Sequence, residues 1–395
     1  MKLKKLIGIV LATVMVGALV AACGSVGADT TAALDTPTEE TSDEADTTDE
    51  TNTTTPGADG TAEIFFVSDS GSIDDRSFNQ GSWEGVAKFG EEKGISHNFI
   101  QPPAESNTSQ FMDAIKQGVD NGAKIIVVSG FLFEEAVYQA QELYPDVHFI
   151  LIDGSPNDAN GNFHTADNTV GVSFAEQQAG YLAGYAIVMD GQTDLGFMGG
   201  MAVPPVVSFG YGFLQGAEYA GQKLGLSDGD ITVMYHYTGG FQATPQVQTL
   251  AASWYNQGTE TIFGCGGAVG NSVMAAAQEI DGKTVIGVDI DQSFQSDTVV
   301  TSAMKMLTNA VYALLVDFYD GNFPGGQNVV FDATNDGVGL PMETSRFTDF
   351  TLEQYDDIFA QLKGGDIEVK GGIVDGNEIT IADLGLSIVQ VTEVN

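Results

Sequence analysis

Residues 62–80 read Ala62-Glu-Ile-Phe-Phe-Val-Ser-Asp69-Ser-Gly-Ser-Ile-Asp-Asp75-Arg-Ser-Phe78-Asn79-Gln80. Glu63–Val67 is a short apolar run rich in β-branched and aromatic residues, as in a strand buried on both faces. A polar turn follows. Then Trp83, Val86, Ala87 and Phe89 recur at three- and four-residue spacing, which places them on the buried face of a helix. Lys124–Val128 and Val147–Ile152 repeat the strand pattern, and Phe111, Met112, Ile115 and Val119 mark the helix before them. Alternating strands and helices imply parallel sheets covered on both faces, an α/β class.

The pattern then restarts. Leu195–Met198 reads as a strand and Val206–Leu224 as a helix; Ile231–Tyr235, Thr261–Phe263 and Thr284–Val288 read as further strands. Two successive units fit two doubly wound lobes, 62–169 plus about 291–323 and 170–290 plus about 324–395. The crossings between them are expected near Asn168–Val170, Asp289–Asp291 and Phe323–Gly326. One large sheet is the competing arrangement, because a second unit and a continuation share one pattern.

Upstream, Lys2, Lys4 and Lys5 precede the apolar run Leu6–Ala22, which closes as Leu19-Val-Ala-Ala-Cys23-Gly. A basic start, a short apolar core and small residues before a cysteine describe an export signal over 1–22. The cysteine pattern resembles a bacterial lipobox, with Cys23 acylated as the mature N-terminus. Residues 23–61 are rich in Thr, Asp and Glu and hold no Lys or Arg. They read as a flexible acidic stalk, because they have too little apolar surface to offset ordering entropy. The expected address is the cell membrane, lipid-anchored and facing away from the cytoplasm.

Across 395 residues, 54 acidic groups face 14 basic ones, for a formal charge of −40. That balance excludes a nucleic-acid polymer as partner, since no basic surface could displace phosphate counterions. The two cysteines, Cys23 and Cys265, form no disulfide framework, and Cys265 reads as a small buried residue. Gly264-x-Gly266 lacks the third glycine of a dinucleotide loop, and no Gly-x-Ser-x-Gly elbow is present. Four scattered His offer no transition-metal spacing. Asp69, Asp74, Asp75, Asp289 and Asp291 could hold Ca²⁺ or Mg²⁺, although Asp74 and Asp75 read first as N-terminal helix caps. No cofactor or metal is expected.

In parallel sheets, ligands lie beyond the carboxyl ends of the strands. The segments there are Ser68–Gln80, Ser129–Phe131, Asp153-Gly154, Gly264–Asn271 and Asp289–Gln292. Three carboxylates and a Phe-Asn pair would converge on one cleft.

The stretch Asp69-Ser-Gly-Ser-Ile-Asp-Asp-Arg-Ser-Phe-Asn-Gln-Gly-Ser-Trp-Glu-Gly closely resembles the basic membrane protein (Bmp, PnrA-like) family of substrate-binding lipoproteins. The likeness continues through Ala166-Asp-Asn168, Gly180-Tyr-Leu-Ala-Gly184, Gly196–Met201, Gly287–Gln292, Thr301–Lys305 and Phe323–Gln327. It implies a type I periplasmic-binding-protein fold with a three-crossing hinge, and delivery of a nucleoside, purine first, to an ABC permease. It also implies site roles. Phe78 would be one aromatic wall and Asn79 a donor–acceptor edge for the base. Asp153 would accept a ring or exocyclic N–H, while Asp69 and Asp289 would hold the ribose. Lys305 would donate to the ribose or hold Asp289, and Gly266 would let the backbone approach closely. Phe209 is the first choice for the opposite wall, with Phe241 and Phe263 behind it. A monomeric, non-enzymatic receptor follows. The rivals are a sugar receptor of the same fold and a metal-dependent nucleoside hydrolase.

Overall fold

The computed structural model describes residues 60–394 apart from 104 and 375. The export signal, Cys23 and nearly all of the stalk lie outside the described residues. Among the described residues, no helix is long and apolar enough to cross a membrane.

Two sheets organise the body. The first runs in the order Gln327–Phe331, Thr169–Phe174, His148–Ile152, Ile125–Ser129, Ile64–Val67 and His97–Ile100. All its pairs are parallel, with Ile64 opposite Ile125 and Val67 opposite Val128. The second runs Val338–Gly339, Val299–Lys305, Thr284–Asp289, Thr261–Cys265, Asp194–Gly199, Ile231–Tyr237 and Val389–Glu393. It is parallel except where Val338–Gly339 meets Val299–Lys305. Ile64–Val67 and Ile125–Ser129 are buried at every position, the result of helices on both sheet faces.

The three crossings each come one strand later than the sequence suggests. Thr169–Phe174 and Gln327–Phe331 belong to the first sheet and Val299–Lys305 to the second. The chain therefore changes halves at Ala175, at Met306 and over 332–337. The expected crossings at Asn168–Val170, Asp289–Asp291 and Phe323–Gly326, and the lobe boundaries drawn from them, are corrected to 62–174 plus 307–331 and 176–305 plus 338–394. An apolar strand carries no local mark of its neighbours, because pairing partners are set by contacts remote in sequence.

Two helices of the second half, the first of them following a crossing, fix the hinge side of the site. Glu176–Met189 lies so close to Pro204–Leu224 that a Cβ on Gly180 would overlap the Phe209 carbonyl, and one on Gly212 the Gln177 carbonyl. Backbone meets backbone there, which sets the position of Phe209. Val389–Glu393 closes the far edge of the second sheet. Glu218 anchors it, accepting the N–H groups of Ile388 and Val389 at 2.8 and 3.0 Å and the Ser387 hydroxyl at 2.6 Å.

Candidate functional site

A cavity of about 430 Å³ lies where the strand ends of both sheets face one another, within the roughly 300–1,000 Å³ usual for small-molecule sites. Asp69, Phe78, Asn79, Asp153, Phe209, Gly266, Asp289 and Lys305 all line it. The first sheet contributes Asp69 and Asp153 beyond its strands, and the helix Phe78–Lys93 contributes Phe78 and Asn79. The second sheet contributes Asp289 and Lys305 as the last residues of their strands.

Asp153 and Asp289 have φ values of +58° and +68°. A non-glycine residue in that region carries strain, and such strain gathers at functional sites. Gly266 has φ +117°, and a Cβ there would press on the Phe241 ring at 3.2 Å; only glycine suits the position.

Lys305 is the centre of the electrostatics. It is 3% exposed, and its ammonium donates to Asp153 Oδ2 and to Glu176 Oε1 at 3.4 Å, with Asp289 Oδ1 at 3.8 Å. The rings of Phe78, Phe209 and Phe174 lie 4.9, 5.3 and 5.5 Å from it, a cation–π setting. Burial alone would lower the Lys305 pKa; the carboxylates of Asp153, Glu176 and Asp289 outweigh it and hold it above the ordinary lysine value. One cation cannot neutralise three acids. Burial therefore pushes Glu176 up to about 7 and Asp289 up to about 6, against the pull of Lys305. Asp69 and Asp153 are raised by the same cause.

Two oxygens differ in what they have left to offer. Asp153 Oδ1 is buried and has no hydrogen-bond partner, an unusual state for a native acceptor. Asp69 Oδ1, by contrast, already accepts Gly71 N–H at 2.8 Å and Asn79 Nδ2 at 2.9 Å. The Asn79 amide, which the family resemblance implies as an edge for the base, is engaged within the protein here. Its amide nitrogen also donates to Asp75 Oδ2 at 3.0 Å, and its oxygen accepts from the Ser129 hydroxyl. The residue braces Asp69 in this structure.

Phe209 lines the cavity together with Phe241 and Phe131. Phe263 does not; it is buried behind Phe209 in an edge-on contact at 6.0 Å. Cys265 is a free, buried thiol whose pKa burial pushes well up, which leaves it unreactive. Among the described residues, no group of three or more His, Cys, Asp or Glu side chains is disposed to hold a metal ion. Sequence reasoning missed Glu176 and Phe131. Phe131 has a visible place after its strand in the sequence, but nothing there marks it as a wall of the cavity. Glu176 follows the strand end at Phe174, one strand beyond the crossing that the sequence suggests.

Two parallel α/β halves with their strand ends around one cavity are an architecture this chain shares with solved solute-binding proteins. A solute-binding protein of Aeropyrum pernix K1 superposes with TM-score 0.62 at 24% identity, covering 77% of this chain and 86% of that one. One from Conexibacter woesei DSM 14684 gives 0.58 at 20%, covering 78% and 99%. Sequence makes the assignment narrower. Residues 63–370 match the family model described as ABC transporter substrate-binding protein PnrA-like, and the chain belongs to that family. The ABC transporter nucleoside-binding protein BmpA of Lactococcus lactis subsp. cremoris is 30% identical over 317 residues, 74% of this chain and 85% of that protein. A CD4+ T-cell-stimulating antigen of Listeria monocytogenes is 28% identical over 328 residues, 78% and 87%.

Proposed function

We propose that this chain captures a nucleoside, a purine nucleoside first, between its halves and hands it to an ABC permease, as a monomer anchored to the outer face of the cell membrane through acylated Cys23. The observation that carries the reading is Asp153 Oδ1, a buried acceptor without a partner on the wall of the cavity. A ring or exocyclic N–H of a purine supplies the missing donor. Phe78 offers a face for the base, worth about 1–3 kcal/mol by stacking, and Phe209 closes the other side. Asp289 and Asp69 accept from ribose hydroxyls. Asn79 acts through Asp69, which it holds in place. The name of the Lactococcus lactis relative supports the same ligand class.

Closure follows from contacts divided between the halves, since a ligand favours one state only through differential interactions. Asp69, Phe78 and Asp153 belong to the first half and Phe209, Gly266 and Asp289 to the second. Binding without chemistry is the expected outcome, with the ligand returned intact.

Calorimetric titration with inosine, guanosine, adenosine, uridine, ribose and xylose tests the reading. Purine nucleosides are expected to bind, and Phe78→Ala or Asp153→Asn to weaken them at least about tenfold, the worth of one charge-assisted hydrogen bond or stacked ring. Preference for a free sugar, or titration curves unchanged in both variants, would overturn it. Free base released from inosine during incubation would favour the hydrolase instead.

A further inference from the structure

Ser77 occupies the N-cap of the helix Phe78–Lys93, where a serine oxygen ordinarily accepts the N–H of the second or third helical residue. It makes no such bond. Asp75 caps instead, accepting the N–H groups of Ser77, Asn79 and Gln80 at 2.8, 3.0 and 3.1 Å. The Ser77 hydroxyl, thus released, reaches the other half and donates to Asp289 Oδ2 at 2.6 Å.

One residue earlier, Arg76 has φ +60°, a conformation disfavoured for L side chains. Its carbonyl accepts from Gln292 Nε2 at 2.7 Å and Gln295 Nε2 at 2.9 Å. Gln292 is fully buried and aimed by its own half: its side-chain oxygen accepts Val288 N–H at 3.0 Å, and its backbone N–H donates to the Ser302 hydroxyl at 3.0 Å. Ser77, Gln292 and Gln295 do not line the cavity, whereas Asp289 does. Three hydrogen bonds thus join the halves at a strained two-residue turn, and one of them ends on a cavity acid.

We propose that the Arg76–Ser77 turn is a clasp between the halves that positions Asp289 for its ligand and is already made in the ligand-free protein. The proposal rests on the reading that Asp289 receives a ligand hydroxyl. Ser77 is a positioning residue, acting through Asp289. Gln292 and Gln295 hold the turn and do not touch the acid. Burial raises the Asp289 pKa, Lys305 and the Ser77 hydroxyl lower it, and Asp153 and Asp75 raise it. Asp289 also interacts with Asp69 and Cys265. Loss of the Ser77 hydroxyl must therefore move Asp289 titration upward, and loss of the glutamines, which leaves that hydroxyl present, must move it less.

The test compares wild type with Ser77→Ala, Ser77→Thr and the pair Gln292→Ala with Gln295→Ala. Inosine kinetics are followed by stopped-flow tryptophan fluorescence between pH 5 and 8. Carbon-detected NMR titration follows the aspartate carboxyls of ligand-free protein, with Asp289→Asn assigning the signal. Both alanine variants are expected to release inosine about tenfold faster, the worth of one hydrogen bond to a charged group for Ser77→Ala and of two neutral ones for the glutamine pair, with association within about twofold because none of the three bonds is made to the ligand. Ser77→Ala raises the Asp289 midpoint and the acid limb of binding by more than the glutamine pair does, and Ser77→Thr restores both. Wild-type release rates in both alanine variants would overturn the clasp. A wild type that ignores inosine would count against the nucleoside reading, and the carboxyl titration would still decide: an Asp289 midpoint unmoved in Ser77→Ala overturns the clasp by itself.

Discussion

Replacing Glu176 with Gln should make the protein more stable at pH 8 and leave it nearly unchanged at pH 4.5. Glu176 is buried beside Lys305 at 3.4 Å, and its carboxyl rises from 4.5 to about 7, burial being the largest cause and outweighing the attraction of Lys305. A raised acid favours the fold while it is protonated. Its contribution is complete below pH 4.5 and is lost as pH rises through about 7. Each pH unit in that window costs about 1.36 kcal/mol, so the loss at pH 8 is about 3 kcal/mol, an upper bound because three acids share one lysine. Gln keeps the shape and cannot ionise, and Lys305 retains Asp153 and Asp289. Denaturant unfolding of wild type and Glu176→Gln at half-unit intervals from pH 4.5 to 8 reads the difference directly. The two stabilities should coincide at the acid end and separate steadily, with the variant above. A variant equal to wild type at pH 8, or less stable there, would refute the reasoning.

Lys305→Met leaves Asp153, Glu176 and Asp289 without their cation. The expected loss is about 3–5 kcal/mol at pH 8 and clearly less at pH 5, where the acids take up protons; equal losses in chemical denaturation at both pH values would contradict this. Gly180→Ala forces a methyl group onto the Phe209 carbonyl, with an expected cost of about 1–3 kcal/mol or more and weaker inosine binding through displacement of Phe209. Wild-type melting and affinity would show that the helices can part freely. Glu218 is held at about 2, its hydrogen bonds from Ser387, Val389 and Ile388 outweighing burial. Its contribution is present above pH 4.5 and lost as pH falls through about 2, so Glu218→Gln at neutral pH should release amide exchange across 388–393 while 125–129 stays protected.

The strand ends were the most legible part of the molecule. Buried strands announce themselves as apolar runs, and parallel sheets put ligands beyond their carboxyl ends, so Asp69, Asp153 and Asp289 could be singled out before any coordinates. Gly180 and Gly184 stood out as a motif, but that they let two backbones touch became visible only with the opposing helix in view. The crossings were misplaced because Thr169–Phe174 and Val299–Lys305 look alike in sequence, while their sheets differ through remote pairing. Asn79 was read as a free amide because a sequence displays donors and acceptors without saying which are already engaged. The Ser77 contact is illegible for a related reason: Asp75 reads as a helix cap in the sequence, as the structure shows, but nothing in the chain says that the Ser77 hydroxyl, so released, meets Asp289.

The most direct test is a crystal structure of the protein grown with saturating inosine. The account requires the nucleoside in the cavity between the halves, its base against Phe78, a ring N–H on Asp153 Oδ1 and ribose hydroxyls on Asp289. Inosine bound elsewhere, or a cavity empty of it with Asp153 Oδ1 still unpartnered, would contradict the account.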